Sequence, residues 1–210
     1  MYYDEEDYSA EAYLDDALKS ISEDNTRAYL GVYGDAIEER VQDCLKQAEE
    51  LLSTGYNGPA LALAATAVEL MIRFMLLRPL IEGAFLSEEW AEILATRVAT
   101  GRSAEDRELL PAVLQRWRID IATIRTPGGF PLWEFVLKEL WPKRHNFVHK
   151  GERPSREIAA TAIECARCFK ETVIGAIAMK LGFTRARTGK WCEIDSEDGS
   201  MRRFGPQSPF

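Results

Sequence analysis

An all-α helical bundle with a short strand-forming tail is the fold this sequence predicts. Three observations carry that reading. Apolar residues recur at three-and-four spacing through most of the chain, Gly and Pro punctuate the junctions between those stretches, and strand-like alternation is confined to the C-terminal end. At 210 residues the chain suits one domain with appendages and is long enough to bury a full core.

Residues 1–34 form an acidic extension. Residues 1–8 read as a disordered lead, after which Ser9 caps a short amphipathic helix with Tyr13, Leu14, Ala17, Leu18 and Ile21 on one side. Asp35 and Glu38 stand at capping-box spacing and open a second helix through Ile37, Val41, Cys44, Leu45, Ala48, Leu51 and Leu52, which Gly55 stops. Gly58-Pro59 starts the most apolar helix, through Leu61, Ala65, Val68, Ile72 and Leu76 towards Pro79. A helix apolar nearly all round belongs at the centre of a core.

Ser87-Glu88-Glu89-Trp90 begins a helix reaching about Val98, and Ser103 caps another through Leu109, Val113, Trp117, Ile121 and Ile124. Thr126-Pro127-Gly128-Gly129 is a turn; it lacks the Lys and Ser/Thr of a phosphate loop. Phe130 to Trp141 is apolar and helical, and Pro142 predicts a kink or a fresh start. A long last helix runs through Ile158, Ala162, Cys165, Phe169, Val173, Ile177 and Leu181 to end near Gly182. Residues 35–183 thus form the helical body. In the tail, residues 184–210, the stretches Lys190 to Asp195 and Met201 to Phe204 alternate as a small hairpin around Asp198-Gly199.

Charge is unevenly spread. Residues 1–24 hold nine acids against Lys19, which accounts for the whole net charge of −8. From Lys143 onward thirteen Lys and Arg face eight acids, so that end is locally basic despite an overall pI near 5.0. Such a chain can receive a polyanion locally. It does not suit broad, salt-driven duplex binding. An acidic, aromatic start in place of a basic and then apolar leader leads us to expect a cytoplasmic protein. The apolar window Ala60 to Ile81 carries Glu69, Arg73 and Arg78 and reads as a core helix with no membrane partner. Cys44, Cys165, Cys168 and Cys192 are expected to be free thiols, and the Cys165-Ala-Arg-Cys168 pair reads as small core-facing residues of a helix.

Both histidines lie in Trp141-Pro142-Lys143-Arg144-His145-Asn146-Phe147-Val148-His149-Lys150-Gly151. An imidazole ordinarily titrates near neutral pH and suits proton transfer, and a guanidinium fork matches two phosphate oxygens. Arg144 and His149 together can therefore hold a phosphate and move a proton beside it. Glu69, in the apolar helix, has two readings: an ion pair with Arg73 one turn on, or a carboxylate that orients Arg144. On an ideal helix Arg144 and His149 stand about 140° apart, so one copy makes an awkward site and a symmetric pair of copies a better one.

Arg144-His145-Asn146-Phe147-Val148-His149-Lys150-Gly151, ahead of Pro154-Ser155 and a long final helix, resembles the HEPN domain family (higher eukaryotes and prokaryotes nucleotide-binding). That family's motif runs Arg, then Asn, Asp or His, three further residues, then His. Arg144, His145, Val148, His149 and Gly151 all fit, and the resemblance spans roughly Asp35 to Gly182. It implies a HEPN-type helical bundle acting as a homodimer. It also implies a metal-independent endoribonuclease of toxin–antitoxin or antiviral defence systems, with RNA as substrate and an antitoxin or defence-complex protein as partner. The catalytic residues implied are Arg144 and His149, with His145 as the polar helper. Asn146, Lys143, Lys150 and Glu69 stand as supporting or RNA-binding residues. No cofactor and no metal is expected.

Two alternatives stay open at this level. His145 and His149 lie one turn apart, as zinc-binding pairs do, but Asn146 stands where a zinc hydrolase of the His-Glu-x-x-His type has Glu, and a third ligand is missing. The same stretch can also serve a non-catalytic module that recruits or regulates a partner protein.

Overall fold

The computed structural model describes residues 5–79, 110–115, 117–185, 191–194 and 201–202. The expected helix from Ser87 to Val98, the start of the next at Ser103 and the Asp198-Gly199 turn lie outside the described residues. What is described is mostly helical, with one small antiparallel sheet.

Helix α1 runs without interruption over Glu5–Ser53. The boundary placed after residue 34 therefore coincides with no break in structure, and the expected disordered lead is helical from Glu5. The capping box also fails. Asp35 lies in mid-helix, where its Oδ1 accepts the backbone N–H of Trp191 at 2.8 Å. Glu38, 2 % exposed, accepts from Gln42 Nε2 at 2.9 Å and pairs with Lys170 Nζ at 3.1 Å. Both carboxylates face partners more than a hundred residues away, and helix N–H groups never needed them. Leu30, Ile37, Val41, Leu45 and Ala48 form the buried row that binds α1 to the core. At its end Gly55 takes φ 85°, while its N–H donates to Leu52 O and that of Tyr56 to Leu51 O.

Helix α2 spans Asn57–Leu70 and continues as wider π turns over Met71–Leu77. As its composition predicts, it is central. Ala60, Leu61, Ala64, Ala65, Ala67 and Val68 are fully buried, and the helix packs against α1 and both later long helices. Its many alanines let those neighbours approach closely. Asn57–Leu77 is long and apolar enough to cross a membrane by length and composition, but 61 % of its most apolar window is buried inside this fold.

A helical stretch at 110–115 ends earlier than expected. Ile119 N–H donates to Leu114 O, Arg118 N–H to Gln115 O, and Arg118 adopts φ 54°. This is a Schellman stop with Arg where Gly is usual. Asp120 Oδ1 then accepts the N–H of Ala122, so the continuation through Ile121 and Ile124 is a set of turns, with Trp117 and Ile121 still buried. The spacing of these apolar residues imitates a helix, and the local carboxylate bond overrides it. The turn at Thr126 to Gly129 is present, closed by Gly129 N–H to Thr126 O at 2.8 Å.

Helix α3 is continuous across Leu132–Phe135, π turns at Val136–Leu140 and Trp141–Lys150. Pro142 makes neither a break nor a new start: Leu140 and Trp141 keep helical dihedrals, and Trp141 N–H reaches back five residues to Val136 O. The wide turn accommodates a ring that would collide with the carbonyl four residues earlier in a regular ladder.

Helix α4 covers Arg156–Cys168, π turns at Phe169–Ile174 and Gly175–Lys180, stopping at Gly182 with φ 79°. Ser155 is its N-cap, with Oγ accepting the N–H of Ile158 at 3.3 Å. Ser155→Ala is expected to cost about 1 kcal/mol in urea unfolding, the usual worth of such a cap. Ser155→Asp should recover most of it. Cys165 and Cys168 lie buried on α4 as free thiols; burial pushes the Cys165 thiol far up, so it is held neutral.

The tail adds β1 (Phe183–Arg185), β2 (Trp191–Ile194) and β3 (Met201–Arg202), antiparallel in that order. The expected hairpin is β2 with β3. Strand β1 was not expected, since three residues after a helix stop show no periodicity. Its Phe183 ring meets Trp191 edge-on at 5.6 Å, and both are buried against the helices.

Candidate functional site

The motif occupies the C-terminal part of α3, Trp141–Lys150, in which no side chain is fully buried. This stretch lies on the flank of α2 and is held there at two points. Phe147 meets Gly58, where a Cβ would stand 2.1 Å from the ring. Arg144 meets Glu69 further along α2. The two contacts fall in opposite order along the two helices, so α2 and α3 run antiparallel.

Glu69 is shared. Its Oε1 accepts from Arg73 NH1 at 3.3 Å, and its Oε2 lies 3.6 Å from Arg144 NH2. Glu69 therefore makes the i,i+4 pair with Arg73 and also lies within ion-pair distance of Arg144. The Glu69 side chain is 23 % exposed and that of Arg144 42 %. The carboxylate draws the Arg144 guanidinium towards the α2 surface by charge, and a side chain this exposed keeps N–H donors that an anion can reach.

His145 and His149 are both exposed, their ring centroids 4.6 Å apart and their planes at 45°. The helix is regular here, so His149 stands about 140° round the axis from Arg144, as expected from spacing. One chain thus brings the two imidazoles together and holds the guanidinium on a different side. Val148, beside His149, is 55 % exposed. Lys143 and Lys150 are exposed at either end of the motif, and Arg153 extends the basic rim.

Asn146 is bonded at the end of the motif helix. Its Nδ2 donates to Glu152 Oε2 at 2.8 Å, and Glu152 N–H donates back to Asn146 O. Gly151, φ 71°, ends the helix with its N–H on Phe147 O. The left-handed residue lets the chain leave at once towards α4, and Asn57 Nδ2 contacts Pro154 O at 3.4 Å across the connection.

Sequence reasoning missed the Gly58 and Phe147 pair. Gly58-Pro59 was legible only as a helix start, and the demand for a missing Cβ exists only once α3 is in place. Gly58→Ala is expected to cost about 1–3 kcal/mol, because the ring or the helix must shift to admit the methyl. Phe147→Leu in the same chain should return part of the loss, measurable as a non-additive pair in urea unfolding.

No family model, curated protein or solved structure matches this chain at a significant level.

Proposed function

We propose that the protein is a metal-independent endoribonuclease of HEPN type that works as a homodimer, with toxin or antiviral defence as its setting. The observation that carries the reading is the Glu69 to Arg144 contact between α2 and α3. It holds a phosphate-matching fork on the same short helix stretch that exposes both of the chain's imidazoles.

The chemistry follows from the groups. A neutral imidazole removes the proton of an RNA 2′-hydroxyl, whose oxygen attacks the adjacent phosphorus. Negative charge builds on the non-bridging oxygens, and Arg144 donates to them. A protonated imidazole gives its proton to the departing 5′-oxygen, leaving a 2′,3′-cyclic phosphate and a 5′-hydroxyl. His149 takes a proton-transfer role and His145 supports it. Because Arg144 and His149 diverge on one helix, the reactive set is completed by the same stretch of a second copy, placed across a two-fold axis. Lys143, Lys150 and Arg153 flank the strand, while Asn146 keeps the end of the motif helix in shape.

The alternative, a non-catalytic recruiting module, draws on the exposed apolar Val148 at the centre of the stretch. Incubation of the purified protein with single-stranded RNA separates the readings. Cutting that survives EDTA, yields cyclic-phosphate ends and is lost in His149→Ala supports the ribonuclease. A folded dimer with no cutting in any condition supports the module.

A further inference from the structure

We infer that His145 and His149 form a two-imidazole chelate for a divalent transition metal ion of the Zn²⁺, Ni²⁺ or Cu²⁺ class, and that occupation of this chelate switches the motif off. The chelate stands on geometry alone; the switch rests on the ribonuclease reading.

The two side chains are one helical turn apart on one face, offset by about 40° around the axis. Their ring centroids are separated by 4.6 Å. An imidazole nitrogen binds such metals at about 2.0–2.1 Å, which puts the ion about 3.2 Å from each ring centre. Ligand angles between about 90° and 109° then require centroids about 4.5–5.2 Å apart. The observed separation falls in that window, so the spacing of the two rings matches a cis chelate.

Access and competition agree with this. Both imidazoles are exposed, and among the described residues neither carries a hydrogen bond or an ion pair that would have to be broken. Asn146 and Glu152, the amide and the carboxylate that lie close along the chain, are bonded to each other. Among the described residues no group of three metal-ligating side chains exists. The ion is therefore held by two protein nitrogens, with water in its remaining positions. This makes a reversible site, far weaker than a structural zinc site. Affinity should follow the order of intrinsic metal–nitrogen strength, with Cu²⁺ tightest and Mg²⁺ not bound. A bound ion occupies the nitrogen lone pair of His149 that would otherwise take the 2′-hydroxyl proton, and so stops the reaction.

The test uses the full chain without an affinity tag. Titration calorimetry with NiCl₂ and ZnCl₂ is expected to show one saturable ion per chain, and NiCl₂ to raise the melting temperature. His145→Ala and His149→Ala should each weaken binding at least tenfold and abolish the thermal shift. Since both side chains are exposed, the variants should keep the wild-type circular dichroism. Absence of saturable binding at millimolar Ni²⁺, or binding that persists unchanged in both variants, overturns the chelate. For the switch, Ni²⁺ should suppress RNA cutting at the concentration that fills the site, and EDTA should restore it. Cutting unchanged or stimulated by a bound ion overturns the switch and leaves the chelate. A chain that cuts no RNA removes the switch together with the ribonuclease reading, while the titration still decides the chelate.

Discussion

Arg144→Ala is expected to slow RNA cutting about a hundredfold to a thousandfold, the usual cost of removing a donor to charge that develops in the transition state. The side chain is partly exposed and, among the described residues, pairs with one carboxylate, that of Glu69, so its loss should leave the fold intact. Arg144→Lys should recover only part of the rate, since an ammonium on a flexible stem cannot present the planar fork that matches two phosphate oxygens. Glu69→Gln separates positioning from chemistry. It leaves Arg144 charged but weakens its tether, and it should reduce kcat more gently than Arg144→Ala. The measurement is single-turnover cleavage of a short RNA. A rate in Arg144→Ala within about threefold of wild type would remove Arg144 from the mechanism.

Glu38→Ala should damage the fold severely, costing about 3–5 kcal/mol in urea unfolding. The Glu38 side chain is 3 % exposed and that of Lys170 12 %, and their 3.1 Å pair joins α1 to α4 inside the helical body. Truncating the acid strands an ammonium away from water, with Glu171 at 3.7 Å as its remaining partner. The pair itself is worth much less than its breaking costs, because both ions were desolvated to form it. Glu38→Leu with Lys170→Met should therefore be far more stable than Glu38→Ala alone. If the single variant unfolds at the wild-type midpoint, the pair is not a buried link between the two helices.

Periodicity made much of the architecture legible. The regular apolar spacing from Ile158 to Leu181 specifies α4, and the all-round apolar surface from Leu61 to Leu76 specifies a central α2; both are present with Gly182 as a stop. Periodicity failed where local polar groups had two uses. Asp35 and Glu38 look like a cap by spacing, but a carboxylate at that spacing can equally reach out to Trp191 or Lys170, and only packing selects between them. Pro142 looks like a stop because its cost is written for a regular ladder, and π turns remove that cost.

The sequence by itself determined that this is a helical protein, that its two histidines lie one turn apart beside an arginine, and that Arg144 and His149 diverge on a single helix. These follow from helical periodicity, which depends only on residue order. Tertiary structure alone decided that Glu69 meets Arg144 as well as Arg73, and that Phe147 seats on Gly58. It also decided that α1 passes unbroken through the supposed cap. Such contacts depend on which helix faces are brought together, and that is set by burial of the whole core, which no short stretch of residues contains.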